Sequence, residues 1–524
     1  MNDMSLREKI GQLIATGLPS SEPSEEWLRF AADYRIGNVI LFSHNVENKE
    51  QLRSLCTRLR ETIEAQTGHS PLIAIDQEGG RVTRLPADAT NVPGAAAIAA
   101  TGKPEHAYAA GRLTAQELLA LGINFNLAPV LDINNNKRNP VINVRSYGDT
   151  AEAVEAFGLP MLKGLQDGGV LASLKHFPGH GDTTVDSHLG LPMIGKTLDE
   201  LEELELKPFV RAIEAGAEAV MTAHILFPAL EPGGVPATMS RAIVTGLLKG
   251  KLGFDGLVVS DCLEMDAIRQ EYGTAEGAVN ALKAGVHLLF ISHTPELVKE
   301  AVERIERAVR DGELQMSAVD EAVAKVQFYK KKYASLASAS SDLSVVGCAD
   351  HRKLAKAMSL ESICLVNGEV EPLEQPAADT IFIGSPPYRP DQASSRVNGG
   401  LSFPRWMGEA FSAASCSVGI DPTADEIEQA ISQASRYTRA VVGLVNGQDH
   451  PGQLELISRL TAAGIRVTAV SLGKPYDLEA LGDEVYALAA FEYTPLALES
   501  LKRILSGERV PTGRITLRLE RTKA

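Results

Sequence analysis

Residues 175–188, KHFPGHGDTTVDSH, bring six titratable side chains into one short segment that follows an apolar run. The glycines of this segment permit backbone conformations closed to other residues, and its proline stiffens the chain, so the loop can hold side chains at a fixed point. If the Asp186 carboxylate meets the His188 imidazole, it orients the ring and stabilises its cationic form. The spacing therefore predicts a proton donor and acceptor poised near neutral pH.

The same segment contains the residue types that bind zinc, namely His176, His180 and His188 with Asp182 and Asp186 nearby. However, no HExxH or His-x-His set lies on a regular element, and a loop broken by Gly and Pro does not predefine a tetrahedral cage. We therefore predict proton transfer and no metal. The glycine-rich pieces match neither a phosphate loop nor a dinucleotide fingerprint, so nucleotide chemistry is not indicated.

Residues 76–84, DQEGGRVTR, end a second apolar run with two acids and two arginines. Carboxylate and guanidinium groups together hydrogen-bond the paired hydroxyls of a sugar. The alternative is a salt-bridge network that only holds the loop. We favour ligand binding by Asp76 and Arg84, with Glu78 and Arg81 as the structural members.

Asp261 stands where the apolar run 257–259 meets its loop, a costly place for an acid that is neither used nor paired. A carboxylate there can trap an oxocarbenium-like carbon as a covalent ester, or it can cap the next helix. Taken alone, the two interpretations are equally supported. Arg145, Lys175 and His176 can donate to hydroxyl oxygens, and their common placement at predicted strand or loop ends favours ligand binding.

From residue 37 to about 290, short apolar runs alternate with helical patterns, as expected of repeated βα units around a parallel sheet. The predicted strands are 37–42, 72–76, 125–132, 171–176, 219–224, 257–261 and 286–292, with a less conspicuous one at 13–16. Since polar residues collect where these runs end, we expect an α/β protein whose first domain is a (β/α)8 TIM-type barrel, with its site at the carboxyl rim. His224 ends one apolar run, and its position fits a site contact and a core hydrogen bond equally. His287 and His293 are interpreted as structural.

A small, polar stretch follows residue 333 and has the composition of an interdomain linker. We predict a barrel over 1–333, a linker over 334–349 and a smaller αβα sandwich over 350–524. The second domain is predicted from apolar runs that resemble strands buried on both faces, at 362–366, 380–383, 440–445, 465–471 and 485–490.

The chain has 524 residues, 44% of them hydrophobic, and a net charge of −16, which argues against a nucleic-acid or anionic-membrane partner. No apolar run approaches the roughly eighteen residues of a membrane span. Five cysteines without CxxC spacing, and an amino-terminal segment without an unbroken apolar stretch, predict reduced thiols and a cytoplasmic protein.

Residues 175–181, KHFPGHG, followed by Asp186-Ser187-His188, resemble the bacterial β-N-acetylglucosaminidases of glycoside hydrolase family 3 in their two-domain form. The resemblance extends through most of the predicted barrel and, less specifically, to the closing residues. The matching segments are 76–84, 126–132, 145–147, 220–224, 259–261 and 507–514. One departure is His287, which stands where the family is expected to carry an acid.

The resemblance implies a role for each candidate residue in a retaining hydrolysis without metal or cofactor. Asp261 would be the nucleophile, and His188 the acid/base assisted by Asp186. The terminal N-acetylglucosamine would be bound by Asp76, Arg84, Arg145, Lys175 and His176. The substrate would be a small carbohydrate, a cell-wall muropeptide met in peptidoglycan recycling or a chitin fragment.

Two alternatives stay open beside this hydrolase. A neutral histidine base does not repel an anionic acceptor, so phosphate could replace water in a phosphorylase acting on the same sugars. A catalytically silent sugar-binding protein is disfavoured by the joint presence of Asp261, Asp186 and His188, and a β-glucosidase is a weaker enzyme alternative. The sequence leaves the preferred leaving group and the oligomeric state open.

Overall fold

The computed structural model describes residues 4–339, 342–395 and 400–520. Its first sheet has eight short strands: β1 (Ile14–Thr16), β2 (Asn38–Leu41), β3 (Ile73–Ile75), β4 (Phe125–Asn126), β5 (Leu171–Phe177), β6 (Ala219–Thr222), β7 (Leu257–Val259) and β8 (Leu289–Phe290). The strands pair in parallel in chain order, and β8 returns to pair with β1. A bridge between Val259 and Leu288 joins β7 to β8, so the predicted barrel is confirmed.

Regular pairing ends earlier than the apolar runs indicate. The predicted strand 125–132 is wrong in its length, because β4 stops at Asn126 and Val130 makes only an isolated bridge to Lys175. Pro129 lies between them and has no N–H to give to a ladder. Beyond β4 the chain is still held, since Leu131 N–H donates to the Lys175 carbonyl at 2.8 Å.

Most of the helices of the first domain cover the outside of the barrel and bury apolar residues against it. In α11, for example, the buried residues Val298, Ala301, Val302, Ile305 and Ala308 follow helical spacing. The helices are α1 (Leu6–Gln12), α2 (Glu25–Asp33), α3 (Lys49–Thr67), α4 (Ala95–Ala100), α5 (Pro104–Leu121), α6 (Ala151–Asp167), α7 (Leu198–Glu203), α8 (Lys207–Glu214), α9 (Asp266–Arg269), α10 (Thr274–Ala284), α11 (Pro295–Arg310) and α12 (Met316–Ala339). A π-helical segment, Ala242–Lys251, lies between β6 and β7.

A second sheet follows, with strands β9 (Cys364–Asn367), β10 (Thr380–Gly384), β11 (Ala414–Ser417), β12 (Arg439–Leu444), β13 (Arg466–Ser471) and β14 (Tyr486–Ala489). Their order is β11-β10-β12-β13-β14-β9, parallel except for β9. Hydrophobic clusters on its two faces are covered by α13 (Ala349–Ser362), α14 (Phe403–Phe411), α15 (Ala424–Ala434), α16 (Pro451–Ala462) and α17 (Pro495–Leu505). The αβα layers are confirmed. The sequence missed β11 because this edge strand is short and half-polar.

Helix α12 runs to Ala339, past residue 333, where composition placed the end of the barrel domain. Alanine and serine suit a flexible linker, but alanine is also the strongest helix former and serine is tolerated in helices. Residues 340 and 341 of the predicted linker lie outside the described residues, and the domain boundaries stay a prediction. Within the described ranges, no helix is long and apolar enough to cross a membrane.

The second domain packs on the carboxyl side of the barrel. Asn134 donates to the Tyr476 hydroxyl at 2.9 Å, and Lys137 pairs with Glu479 at 2.7 Å. The buried Glu492 carboxylate accepts from Gly94 N–H at 2.9 Å. These contacts fix the rim of the barrel against the loops of the second sheet.

Candidate active site

A cleft of about 470 Å³ opens at the carboxyl ends of the barrel strands, between the barrel and a loop of the second domain. The structure brings the predicted site residues together there. Its lining includes Asp76, Arg84, Arg145, Lys175, His176, His188 and Asp261. Asp186, the remaining candidate, lies behind His188 and is bonded to it.

The inner wall of the cleft is a network of paired charges. Lys175 Nζ lies 2.8 Å from Asp76 Oδ1 and 2.7 Å from Glu78 Oε1, and Arg145 grips both oxygens of Glu78 at 2.8 and 2.9 Å. Burial acts to raise the pKa of Glu78, but the charges and hydrogen bonds of Arg145 and Lys175 hold it well below its ordinary value. Glu78 therefore fixes two cations in place.

The network leaves donors and acceptors for a ligand. Two of the three ammonium hydrogens of Lys175 are used, and three of the five N–H groups of Arg145 go to Glu78 and the Val141 carbonyl. The Asp76 side chain stays 20% exposed and accepts only from Lys175 among the described residues. This wall can thus offer a neutral sugar both acceptors and donors without an unpaired charge.

The predicted Asp186 and His188 pair forms. Asp186 Oδ1 accepts from His188 Nδ1 at 2.7 Å and from the backbone N–H of His188 at 2.9 Å. Burial acts to raise the pKa of Asp186, but the hydrogen bonds and charge of His188 bring it below its ordinary value. Because Nδ1 donates to a carboxylate, the other ring nitrogen, Nε2, is the one left to exchange a proton at the cleft.

Asp261 follows β7 and faces the same cleft. Its Oδ1 accepts from the N–H of Cys262 at 2.7 Å. Burial acts to raise the pKa of Asp261, and this is outweighed by His224, His176 and His188 together with the Cys262 bond, so the pKa lies below its ordinary value. An ionised carboxylate is the form that a nucleophile needs.

Asp132 is a residue whose role the sequence analysis missed. It is fully buried and accepts from His176 N–H, from His176 Nδ1 at 2.7 Å and from His180 N–H at 2.7 Å. The His180 ring then meets the Ser187 hydroxyl at 2.9 Å, so Asp132 connects the barrel to the loop that carries His188. The available signal was a lone acid at the end of an apolar run.

Arg84 lines the cleft and donates two hydrogen bonds to the second domain. Its Nη1 donates to Ser395 Oγ at 3.0 Å and its Nη2 to the Ala393 carbonyl at 2.7 Å. Burial lowers the pKa of Arg84, and the nearby charge of Arg389 lowers it further. The charge of Asp76 acts to raise it, but the pKa of Arg84 lies below its ordinary value. The second domain therefore contributes to the site, a question the sequence left open.

Two further histidines lie in the cleft wall or behind it. His293, interpreted as structural, lines the cleft with its ring 4.6 Å from that of Phe42, and Glu264 accepts from the His293 and Thr294 N–H groups. His224 is buried outside the lining and donates from Nε2 to the Cys262 carbonyl at 2.9 Å, which supports the Asp261 loop.

His287 is buried away from the cleft, where its Nδ1 accepts from Val258 N–H at 3.0 Å and Lys249 Nζ lies 2.7 Å from its Nε2. Burial lowers the pKa of His287 to about 4. The departure from the expected acid thus lies beside Lys249, outside the candidate site. Among the described residues, no group of three or more His, Cys, Asp or Glu side chains is arranged to hold a metal.

Comparison with known proteins places this geometry in a family. Residues 5–328 match the model of the glycosyl hydrolase family 3 N terminal domain. The chain belongs to glycoside hydrolase family 3. The expected family is therefore confirmed, and with it the enzyme class of glycoside hydrolases.

Relatives and solved structures extend the match beyond the barrel. The chain is 38% identical over 371 residues to beta-hexosaminidase A of Pseudoalteromonas piscicida, covering 66% of this chain and 62% of that protein. A beta-hexosaminidase of Alkalilimnicola ehrlichii is 37% identical over 54% of this chain and 81% of its own length. The structure of a family 3 beta-N-acetylglucosaminidase from Paenibacillus sp. str. FPU-7 matches with a TM-score of 0.92 and 37% identity, over 99% of this chain and all of that one.

Proposed function

We propose that this family 3 protein is a retaining exo-β-N-acetylglucosaminidase that removes terminal N-acetylglucosamine from cell-wall muropeptides or chitin fragments. The observation that carries the proposal is the Asp186 and His188 pair, closed at 2.7 Å, facing the same cleft as the ionised Asp261. A nucleophile and an acid/base on one cavity are what double displacement at a sugar carbon requires. The relatives named beta-hexosaminidase supply the sugar class.

In the first step Asp261 attacks the anomeric carbon while the bond to the leaving oxygen breaks. His188, protonated at Nε2, gives its proton to that oxygen, and Asp186 stabilises the imidazolium until the proton leaves. The product of this step is a glycosyl ester on Asp261.

In the second step the neutral His188 takes a proton from water, and the water oxygen attacks the same carbon. The ester bond to Asp261 breaks and the carboxylate is restored, so the configuration at the carbon is retained. A neutral imidazole does not repel anions, which keeps phosphate as a competing acceptor and a phosphorylase as the second candidate.

The inner wall would hold the non-reducing sugar. Asp76 would accept from hydroxyls, and the free N–H groups of Arg145 and Lys175 would donate to them. His176 lines the cleft, where its Nδ1 donates to Asp132 and its Nε2 has no hydrogen-bond partner among the described residues. Arg84 completes the set from the side of the second domain.

The test is hydrolysis of p-nitrophenyl N-acetyl-β-glucosaminide beside the matching glucoside, each without and with added phosphate. Release confined to the aminosugar and indifferent to phosphate is expected. Phosphate-dependent release of a sugar 1-phosphate would replace the hydrolase with the phosphorylase. Release from neither sugar, with binding seen by calorimetry, would return the chain to a sugar-binding protein.

The expected cytoplasmic location remains a prediction. All five cysteines are free thiols in the structure, in keeping with a reducing compartment. Fractionation of cells that express the protein, followed by immunoblotting, would test it.

A further inference from the structure

The outer wall of the cleft is formed by the second-domain residues Arg389, Gln392, Ala393 and Ser394. This loop is anchored to the barrel by a buried ion pair, in which Arg81 Nη2 lies 2.8 Å from Asp391 Oδ2. The Asp391 carboxylate also accepts from Ser394 N–H at 2.7 Å and from the Ser394 hydroxyl at 2.9 Å. The loop is therefore a fixed part of the cleft.

Arg389 is exposed at the mouth, and its own loop sets the direction of its side chain. Its Nε donates to the Ser394 carbonyl at 2.9 Å, and its Nη2 donates to the Gln392 carbonyl. Both partners are neutral, and three of the five N–H groups remain for a ligand. A guanidinium held in this way loses little side-chain freedom when it binds.

Arg84 of the barrel contacts the outer wall and is a second cation without an ion-pair partner among the described residues. The guanidinium partners of Arg84 are a hydroxyl and a carbonyl, and in the described part of the chain neither Arg84 nor Arg389 forms an ion pair. Among the described residues, none of the cleft acids lies within ion-pair distance of either guanidinium: Asp76 and Glu78 pair with Lys175, Glu264 accepts from backbone N–H groups, and Asp261 accepts from Cys262 N–H. Two neighbouring guanidinium groups repel each other, and an anion between or beside them relieves that repulsion.

Arg389 lies on the side where a leaving group must extend. In an exo-enzyme the non-reducing sugar occupies the buried end of the cleft, here lined by Lys175 and His176, and the leaving group points toward the opening. On a protein with a net charge of −16, an exposed guanidinium without an ion-pair partner among the described residues is a local point that attracts anions.

We propose that Arg389 binds an oxyanion on the leaving-group side of the cleft, supplied by a carboxylate on the leaving sugar or by phosphate acting as the acceptor. The inference rests on the proposed function and assigns part of its specificity to the second domain. With phosphate, a phosphate oxygen forms the new bond to the anomeric carbon, the ester bond to Asp261 breaks, and the acceptor's proton passes to neutral His188.

The carboxylate source is tested with two β-1,4-linked N-acetylglucosaminyl disaccharides whose leaving sugar carries a 3-O-lactyl group, as the free acid and as its methyl amide. The wild type is expected to favour the acid about tenfold in kcat/KM, and Arg389→Gln to remove most of that preference. Arg389→Lys keeps the charge and is expected to retain part of it. The matched control is Arg405→Gln, which removes an exposed arginine of α14 that does not line the cleft.

The salt dependence of the wild-type preference tests the same charge pair without a substitution. Raising NaCl from about 0.05 to about 0.5 M should reduce the preference for the acid, because salt screens an exposed charge pair. The phosphate source is tested by the concentration of phosphate needed for sugar 1-phosphate release, which Arg389→Gln should raise about tenfold.

The two sources give different patterns. An acid preference that depends on Arg389 identifies the leaving sugar, whereas an Arg389-dependent phosphate requirement identifies the acceptor. If the wild type hydrolyses the amide but Arg389→Gln changes neither the preference for the acid nor the phosphate requirement, the inference is overturned while the proposed function stands. If the wild type turns over neither disaccharide nor the aryl aminosugar, both fall together.

Discussion

The two walls of the cleft balance their charges in different ways. On the barrel wall, Asp76 and Glu78 are matched by Lys175 and Arg145 within ion-pair distance. On the second-domain wall, the partners of Arg389 among the described residues are uncharged groups. A wall of paired charges suits a neutral sugar, and a wall with an unmatched cation suits an anion.

The walls also differ in chemistry. The proposed nucleophile and acid/base both belong to the barrel, in the loops that follow β7 and β5. In this proposal the described residues of the second domain contribute positioning and binding groups. We therefore expect barrel substitutions to affect the chemical steps and second-domain substitutions to affect binding. The loss of activity should be larger for the barrel substitutions.

The largest effect is expected for Asp261→Asn, which removes the nucleophile while keeping its shape. The turnover number should fall at least about 10⁴-fold. The other described carboxylates that line the cleft already have partners, Asp76 and Glu78 in Lys175 and Glu264 in backbone N–H groups, so none stands ready to replace Asp261. Mass spectrometry of the quenched enzyme should show the glycosyl ester in the wild type and none in the variant. Asp266→Asn, five residues later on α9, is the matched control, and an ester that persists in Asp261→Asn would remove Asp261 from its role.

His188→Ala should slow glycosides with poor leaving groups about 10³-fold, the usual contribution of a general acid. Activated aryl glycosides should lose much less, because their leaving oxygen needs no proton. The measurement is kcat/KM across a series of phenols of rising pKa. Equal loss across the series would argue against His188 as the acid.

Glu78→Gln should lower the free energy of unfolding by about 3 kcal/mol at pH 7, because it leaves buried Arg145 and Lys175 with less compensating charge. The pKa of Glu78 is lowered in the folded state, so its stabilisation is full above the unfolded pKa of about 4 and is lost as the pH falls through the folded value. The stabilities of wild type and variant should therefore converge below about pH 4.

Urea denaturation at a series of pH values measures this difference. Glu428→Gln is the control, since the Glu428 side chain pairs with Arg459 while 61% exposed, and it should cost less than about 1 kcal/mol. A difference between wild type and Glu78→Gln that stays constant down to pH 3 would exclude the titration of Glu78 as its source.

The barrel wall was largely predictable, and the second-domain wall was not. Asp186 and His188 are two residues apart, so one turn suffices to bring them together, and Asp76 and Lys175 meet because parallel strands end at the same rim. By contrast, Arg84 and Ser395 are 311 positions apart in the chain, and the prolines and serines of residues 385–395 indicate a loop without indicating what it contacts. No periodicity or spacing connects such residues, because domain packing alone decides the contact.

Buried polar roles were the other gap. Asp132 acts through the side chains it holds, and the sequence shows only that an acid follows an apolar run. For Glu78 the sequence predicted a structural role but not its partners, Lys175 and Arg145. Which partner satisfies a buried acid depends on the neighbouring strand ends, which single-chain patterns do not specify.

The smallest effect is expected for Ser395→Ala, on the second-domain wall. Its hydroxyl accepts from Arg84 Nη1 at 3.0 Å and from Thr83 N–H at 2.8 Å, so its loss removes one of the two hydrogen bonds by which the second domain holds the Arg84 guanidinium among the described residues. KM for the aryl aminosugar should rise about threefold to tenfold, the cost of the one hydrogen bond that the guanidinium loses, with kcat changing less. Ser435→Ala, an exposed serine of the same domain, is the control. A fall in kcat without a change in KM would contradict the division between the walls, because it would put the second domain into the chemical step.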